Sequence, residues 1–216
     1  MNQEIVNLRR IEKEDIVLLY KWSRNQELGF FNAFANNISM IELEKQYDAK
    51  LADNSILDYL ILLGEEENPV GFCGIKDINW IDRSGEMFVS VCEKDAREKG
   101  VAYSALLHLA VIAFYEMNLN RVFGKVASNN KRSGNLMEQC GLVRQGTLRE
   151  AHYHHDHYYD VHIYGLLKKE ATPLLSFALS KVVSHYSSGC TDEALEKMKT
   201  VINKIGDNAE MTLGAF

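Results

Sequence analysis

Apolar positions along the chain switch between a period of two and a period near 3.6, and the switches mark out the elements. Residues 4–10 alternate and predict a strand, and Lys13 to Arg24 then carry Ile16, Leu19, Tyr20 and Trp22 at helical spacing. Ser39 followed by Glu42 has the form of a capping box, which predicts a helix that buries Ile41, Leu43, Tyr47 and Leu51. LDYLILLG and PVGFCGIKDI predict two strands around a turn at Glu65–Asn68, with bends or bulges at the glycines of the second. GEMFVSVC predicts a third strand. It runs through a charged turn into a helix with Val101, Ala105, Leu106, Leu109, Ile112 and Ala113 on one stripe.

RVFGKVAS predicts another strand, and Asn130 to Cys140 a short helix closed by Gly141 in a left-handed cap. LVRQGTLREAHY and HYYDVHIYGLL predict two last strands around a His154–Asp156 turn. The order is strand, two helices, three strands, helix, strand, helix, two strands. It predicts an α/β or α+β domain with a mixed sheet. Past Pro173 the pattern changes to two amphipathic stripes: Leu174, Leu175, Ala178, Leu179, Val182 and Val183, then Leu195, Met198, Val201, Ile202 and Ile205 between Thr191 and Gly206. We therefore divide the chain into a domain over residues 1–170 and a C-terminal helical extension over 171–216. The extension's stripes pack on their own domain or against a second copy in a homo-oligomer.

With 46% apolar and 25% charged residues, the chain can bury a core and stay soluble. The net charge of −6 argues against nucleic acid as the main partner and is compatible with a cationic substrate such as an amine. The N-terminus MNQEIVNLRR has no apolar run, and no segment is long enough to span a bilayer, so no membrane partner is expected. Cys73, Cys92, Cys140 and Cys190 are scattered among apolar neighbours, which fits reduced thiols in the cytoplasm.

The stretch AREKGVAYSALLHLAVIAF places Arg97, Lys99 and Gly100 at the mouth of a helix, where packing alone asks for none of them. A turn feeding a helix N-terminus offers unpaired N–H groups and the positive end of the helix dipole. A glycine there lets a ligand approach the backbone, so the stretch has the makings of a phosphate site. Arg97-Glu98-Lys99-Gly100-Val101-Ala102 resembles the pyrophosphate motif of the GNAT N-acetyltransferase superfamily, Arg/Gln-x-x-Gly-x-Gly/Ala, after a strand and opening a helix as in that family.

Asn130-x-x-Ser133-x-x-x-Met137-Glu138-x-x-Gly141-Leu142 resembles the family's second signature. LREAHYHHDHYYDVHIYGLL and LRRIEKEDIVLLYKW are similar to the terminal hairpin and first strand–helix unit of the branch that acetylates ribosomal-protein N-termini, polyamines and amino sugars. The resemblance covers residues 5–168.

The resemblance implies a GNAT fold, with a splayed mixed sheet flanked by helices and acetyl-CoA as cosubstrate held between two strands. The pantetheine arm would pair with Phe88, Val89, Ser90 and Val91, with an N–H near Val89 facing the thioester oxygen. The pyrophosphate would rest on the amides of Glu98, Lys99, Gly100, Val101, Ala102 and Tyr103, with Arg97 adding charge. Asn130 and Ser133 would close the site, and Lys131 and Arg132 lie within reach of a coenzyme phosphate. An alkylamine has a pKa of about 10, so something must take its proton near pH 7.

Glu86, Glu150 and His152 are the candidate bases. The family's glutamate on the penultimate strand falls here on His152, with Glu150 expected on the same face two residues earlier. The family's tyrosine acid falls on Met137, which cannot donate. Ser133 is the replacement donor, with Tyr103 and Tyr153 behind it.

His152, His154, His155, His157 and His162 with Asp156 and Asp160 invite a metal reading, but the family needs none and no second ligand group has a matching spacing. No metal is expected. The acceptor is expected to be a primary amine of a small molecule, first a nucleotide-linked amino sugar, since Trp22, Phe30, Phe31, Phe34 and Trp80 fall in segments that border the family's acceptor pocket. A protein N-terminus or a polyamine, with Glu42, Glu44 and Asp48 as its carboxylates, is the alternative. A non-catalytic acyl-CoA-binding or partner-recruiting module is the rival from another class.

Overall fold

In the computed structural model, residues 6–24, 38–154 and 156–171 are described. Expectations for Phe30, Phe31, Phe34, His155, Cys190 and the segment after Pro173 lie outside the described residues. Seven strands form one sheet in the order β1-β2-β3-β4-β5-β7-β6. They are β1 (Val6–Arg10), β2 (Leu57–Leu63), β3 (Asn68–Asn79), β4 (Ser84–Val91), β5 (Arg121–Ala127), β6 (Val143–His154) and β7 (His157–Leu167). Every neighbouring pair is antiparallel except β4 and β5.

Helices cover both faces. α1 (Ile16–Ser23) and α2 (Met40–Leu51) pack on one, and α3 (Val101–Val111) and α4 (Lys131–Gln139) on the other. The LILL run of β2 is apolar throughout because both of its faces are buried: Leu60 and Leu62 join the α1–α2 core, and Ile61 and Leu63 join the α3 core. An extra residue, Val70, bulges β3 beside Gly71, near where the glycines predicted irregularity.

The first helix is shorter than its apolar pattern. Lys13–Asp15 forms a 3-10 turn, and Arg9 grips the Asp15 carboxylate with two bonds of 3.0 and 2.9 Å. The capping box is present: the Glu42 N–H donates to Ser39 Oγ (3.3 Å) and the Ser39 N–H to Glu42 Oε2 (2.8 Å). Behind it α2 buries Leu43 and Tyr47, one turn apart, whose phenol donates to the Ile11 carbonyl (2.7 Å). Ile41 and Leu51, expected inside, are 64% and 57% exposed. Ile41 lies two positions before Leu43, on the far side of the helix, and Leu51 is its last residue, past the packed turns.

Helix α3 runs on into a π turn over Ile112–Glu116, which closes with the Met117 N–H on the Ile112 carbonyl (2.9 Å) and buries Ala113 and Phe114 completely. Cys73, Cys92 and Cys140 are free and buried. Burial pushes the Cys92 and Cys140 thiols up to about 12 and raises that of Cys73, so none is a ready nucleophile.

Candidate active site

The parallel pair β4–β5 stays joined for three residue pairs only: Ser84↔Arg121, Gly85↔Val122 and Glu86↔Phe123. β4 continues to Val91 and β5 to Ala127, so beyond Glu86 and Phe123 the strands diverge unpaired. Over residues 88–91 the β4–β5 ladder is therefore open. At the vertex the Met137 thioether lies over Gly124: a Cβ added there would stand 3.1 Å from Met137 Sδ and 3.6 Å from the Met87 carbonyl oxygen.

Both sides of the gap lead to a helix start. After β4, Lys94–Ala96 forms a 3-10 turn, and the Arg97 guanidinium donates to the Val91 and Cys92 carbonyls, each at 3.3 Å. Arg97 thus ties the loop to the end of its strand as well as bringing charge. Glu98 and Gly100 are both left-handed, with φ of 67° and 77°. No side chain caps α3, so its first-turn amides, those of Val101, Ala102 and Tyr103, receive no bond from an N-cap side chain. Val101 is buried, so only its backbone is on offer. Around the missing Gly100 side chain there is nothing within 4 Å.

On the other side Asn130 caps α4, accepting the Ser133 N–H at 3.1 Å. Arg132 stands 3.9 Å from Glu98, so the start of α4 lies beside the turn that opens α3. Lys131 lines a cleft of about 230 Å³ with Ser128, Asn130, Arg144 and His162.

The empty surroundings of Gly100 give a test. Alanine would fit the space but not the left-handed backbone, a strain of about 1–2 kcal/mol. Gly100→Ala is expected to lower the melting temperature by about 3 °C and to raise KM for acetyl-CoA several-fold. A fall in melting temperature with KM unmoved would mean that no ligand uses this turn.

The candidate bases are less gathered. Glu86 is buried at the vertex, with Lys76 Nζ 3.3 Å from Oε1 and Lys125 Nζ 2.7 Å from Oε2. Between Leu148↔Val161 and His152↔Tyr159, β6 carries two extra residues, and Glu150 within this bulge has φ 51°. The alternation that would set Glu150 and His152 on one face is therefore interrupted, which corrects that expectation. The Glu150 N–H donates to Asp160 Oδ1 (2.9 Å). His152 stacks on His154 and meets Tyr159, with ring centroids 6.3 and 6.5 Å apart.

Within the hairpin His154 pairs with His157, and among the described residues no three such side chains converge in metal-binding geometry. Tyr153 donates to Asp156 Oδ1 (2.7 Å), which raises its pKa. Burial raises that of Tyr103. Trp22 is core rather than pocket lining: it is 2% exposed, stacks on Phe72 and donates to Glu93 Oε1 (2.8 Å). Trp80 is half-exposed and donates to the Asn54 carbonyl (3.1 Å). Lys76 and Lys125 drew no notice in the sequence. Their period-two placement in GIKDI and VFGKVA puts them on known strand faces, but nothing local says that they meet.

A parallel strand pair that opens into a gap between two helix starts, one of them an uncapped glycine turn, is the arrangement expected of a transferase that takes its acyl group from a coenzyme A thioester. The chain belongs to the family described as "Acetyltransferase (GNAT) domain", whose model matches residues 6–143. It is an acetyl-CoA-dependent N-acetyltransferase. It is 27% identical over 161 residues to the spermidine N(1)-acetyltransferase of Vibrio cholerae serotype O1, covering 74% of this chain and 91% of that protein.

The crystal structure of the Vibrio cholerae spermidine N-acetyltransferase in complex with CoA and spermine matches with a TM-score of 0.72 at 25% identity, over 77% of this chain and 97% of that one. The dodecameric structure of the same enzyme in an intermediate state gives a TM-score of 0.67 at 25% identity, over 76% and 94%. No helix among the described residues is long and apolar enough to cross a membrane.

Proposed function

We propose that the acceptor is the primary amine of a small molecule, and that the acetyl thioester reaches it through the gap between β4 and β5. The observation that supports this is the loss of pairing after Glu86↔Phe123, beyond which β4 and β5 run on without a shared ladder. Acetyl-CoA supplies an activated carbonyl. In our reading a β4 N–H near Val89 faces its oxygen, where a fixed donor lowers the barrier as charge develops. Ser133, on the first turn of α4, donates to the departing sulfur, and His152 accepts the ammonium proton directly or through water.

Similarity to a spermidine acetyltransferase, and to the structure of such an enzyme in complex with CoA and spermine, supports a polyamine over the nucleotide-linked amino sugar. The dodecameric form of that enzyme also supports self-association of this chain. The decisive experiment mixes the full chain with acetyl-CoA and a panel of amines and follows thiol release. Release that depends on an added amine is expected. Coenzyme binding without release over the whole panel would instead identify a non-catalytic acyl-CoA-binding module.

A further inference from the structure

Asp58 on β2, Gly74 on β3 and Phe88 on β4 stand in register across three neighbouring strands, paired as Asp58↔Gly74 and Gly74↔Phe88. They share the sheet face that α1 and α2 cover. Asp58 alternates with Leu60 of that core, and Gly74 with Phe72, which packs against it. A Cβ at Gly74 would stand 2.7 Å from Phe88 Cζ and 2.9 Å from Asp58 Oδ1. Only glycine here lets the Phe88 ring and the Asp58 carboxylate close over β3.

The two oxygens of Asp58 are unequally placed. Lys50 Nζ donates to Oδ2 (3.2 Å), while Oδ1 is buried and has no hydrogen-bond partner among the described residues. The Asp58 side chain is 13% exposed and that of Lys50 49%. The Tyr47 phenol, whose pKa burial raises first and the Asp58 charge next, donates away from it to the Ile11 carbonyl (2.7 Å). Glu86, two residues before Phe88 on the same face, differs: Lys76 lies 3.3 Å from one of its oxygens and Lys125 2.7 Å from the other. A buried carboxylate oxygen calls for a donor, and the Phe88 ring offers Oδ1 only the C–H groups of its edge. Turning that side chain aside uncovers the oxygen. An ammonium then has an anion to donate to and an aromatic ring beside it.

We infer that Asp58 Oδ1 receives a second ammonium of the acceptor, seated beside Phe88, while the first amine meets the thioester near Val89. The inference rests on the polyamine reading given above and adds to it the residue that selects for a second charge. Lys50 already balances the carboxylate, so the case for a cation is the unmet hydrogen bond of Oδ1 together with the adjacent ring, and not a surplus of negative charge. An anion in the same place would meet the carboxylate. Val89 follows Phe88 directly and Oδ1 leans over β3, so the two nitrogens stand a little more than one strand spacing apart, roughly 5–7 Å. A spacer of three or four methylenes, as in spermidine, covers that separation.

The test measures spermidine against 1-aminobutane on the full chain by thiol release. In the unaltered protein kcat/KM for spermidine is expected to exceed that for 1-aminobutane about tenfold or more. Asp58→Asn, which keeps the size of the side chain, is expected to remove most of that ratio by raising KM for spermidine. It should leave 1-aminobutane and KM for acetyl-CoA within about twofold of their original values. Lys50→Gln, made on a side chain half in solvent, takes away the cation that competes for the carboxylate. It is expected to lower KM for spermidine about two- to fivefold at low salt and to leave 1-aminobutane alone. A spermidine preference that neither variant alters, or a loss shared equally by both amines in Asp58→Asn, overturns the inference and leaves the polyamine reading standing. No preference for spermidine in the unaltered protein overturns the polyamine reading with it. Failure of every amine to release thiol overturns the acetyl-transfer reading itself.

Discussion

Phe114→Ala is expected to lower the melting temperature by roughly 10 °C, measured by calorimetry or circular dichroism. Phe114 has no solvent exposure and sits in the π turn that ends the central helix, inside the cluster formed by α3 and the sheet. Truncating a buried phenylalanine costs about 3–5 kcal/mol, part for the lost transfer of the ring out of water and part for the cavity left behind. In a chain of this size each kcal/mol moves the midpoint by about 2–4 °C. The Ala113 carbonyl accepts the Leu119 N–H (2.8 Å), so this segment is tied down on both sides of the ring and has little freedom to collapse into the space. Phe114→Leu, which fills most of the volume, should give a clearly smaller shift. A shift below about 3 °C for the alanine variant would mean that the core closes around the gap, contrary to the packing described here.

Legibility in the sequence follows the range of the interactions. The form of the Gly100 turn was readable because everything that makes it, a glycine with φ 77° followed by a helix start with no side-chain cap, lies within a few consecutive residues. The capping box at Ser39–Glu42 was readable for the same reason. The order of elements followed from the two apolar periods, since burial on one face or both is written directly into spacing.

Features that depend on distant partners were not readable. Ile41 and Leu43 are equally apolar, and only the position of the sheet decides which goes inside. The β6 bulge has no spacing signal, because the pattern LVRQGTLREAHY is mostly exposed and carries no buried stripe to break. The Glu86–Lys125 contact joins residues 39 apart across two strands, so no local spacing encodes it.

The same contrast bears on Ser133, where sequence and geometry each supply half of an expectation. Ser133→Ala is expected to lower kcat about a hundredfold, the lower range for losing one positioned proton or hydrogen-bond donor, with little change in KM for acetyl-CoA. Helix integrity is not at stake. Asn130 caps α4 through the Ser133 backbone N–H, which the substitution keeps, and alanine is the better helix former. The lost group is the hydroxyl alone, and Met137, over Gly124 at the vertex, has only a thioether and cannot take over the donation.

Ser133→Thr should retain most of the turnover. The double variant Ser133→Ala, Met137→Tyr should regain part of what Ser133→Ala loses, because a phenol at the vertex brings back a donor. Single-turnover rates would separate this from slower product release. If Ser133→Ala keeps more than half of the original kcat, the sulfur leaves with its proton from water, and the first turn of α4 serves coenzyme binding only.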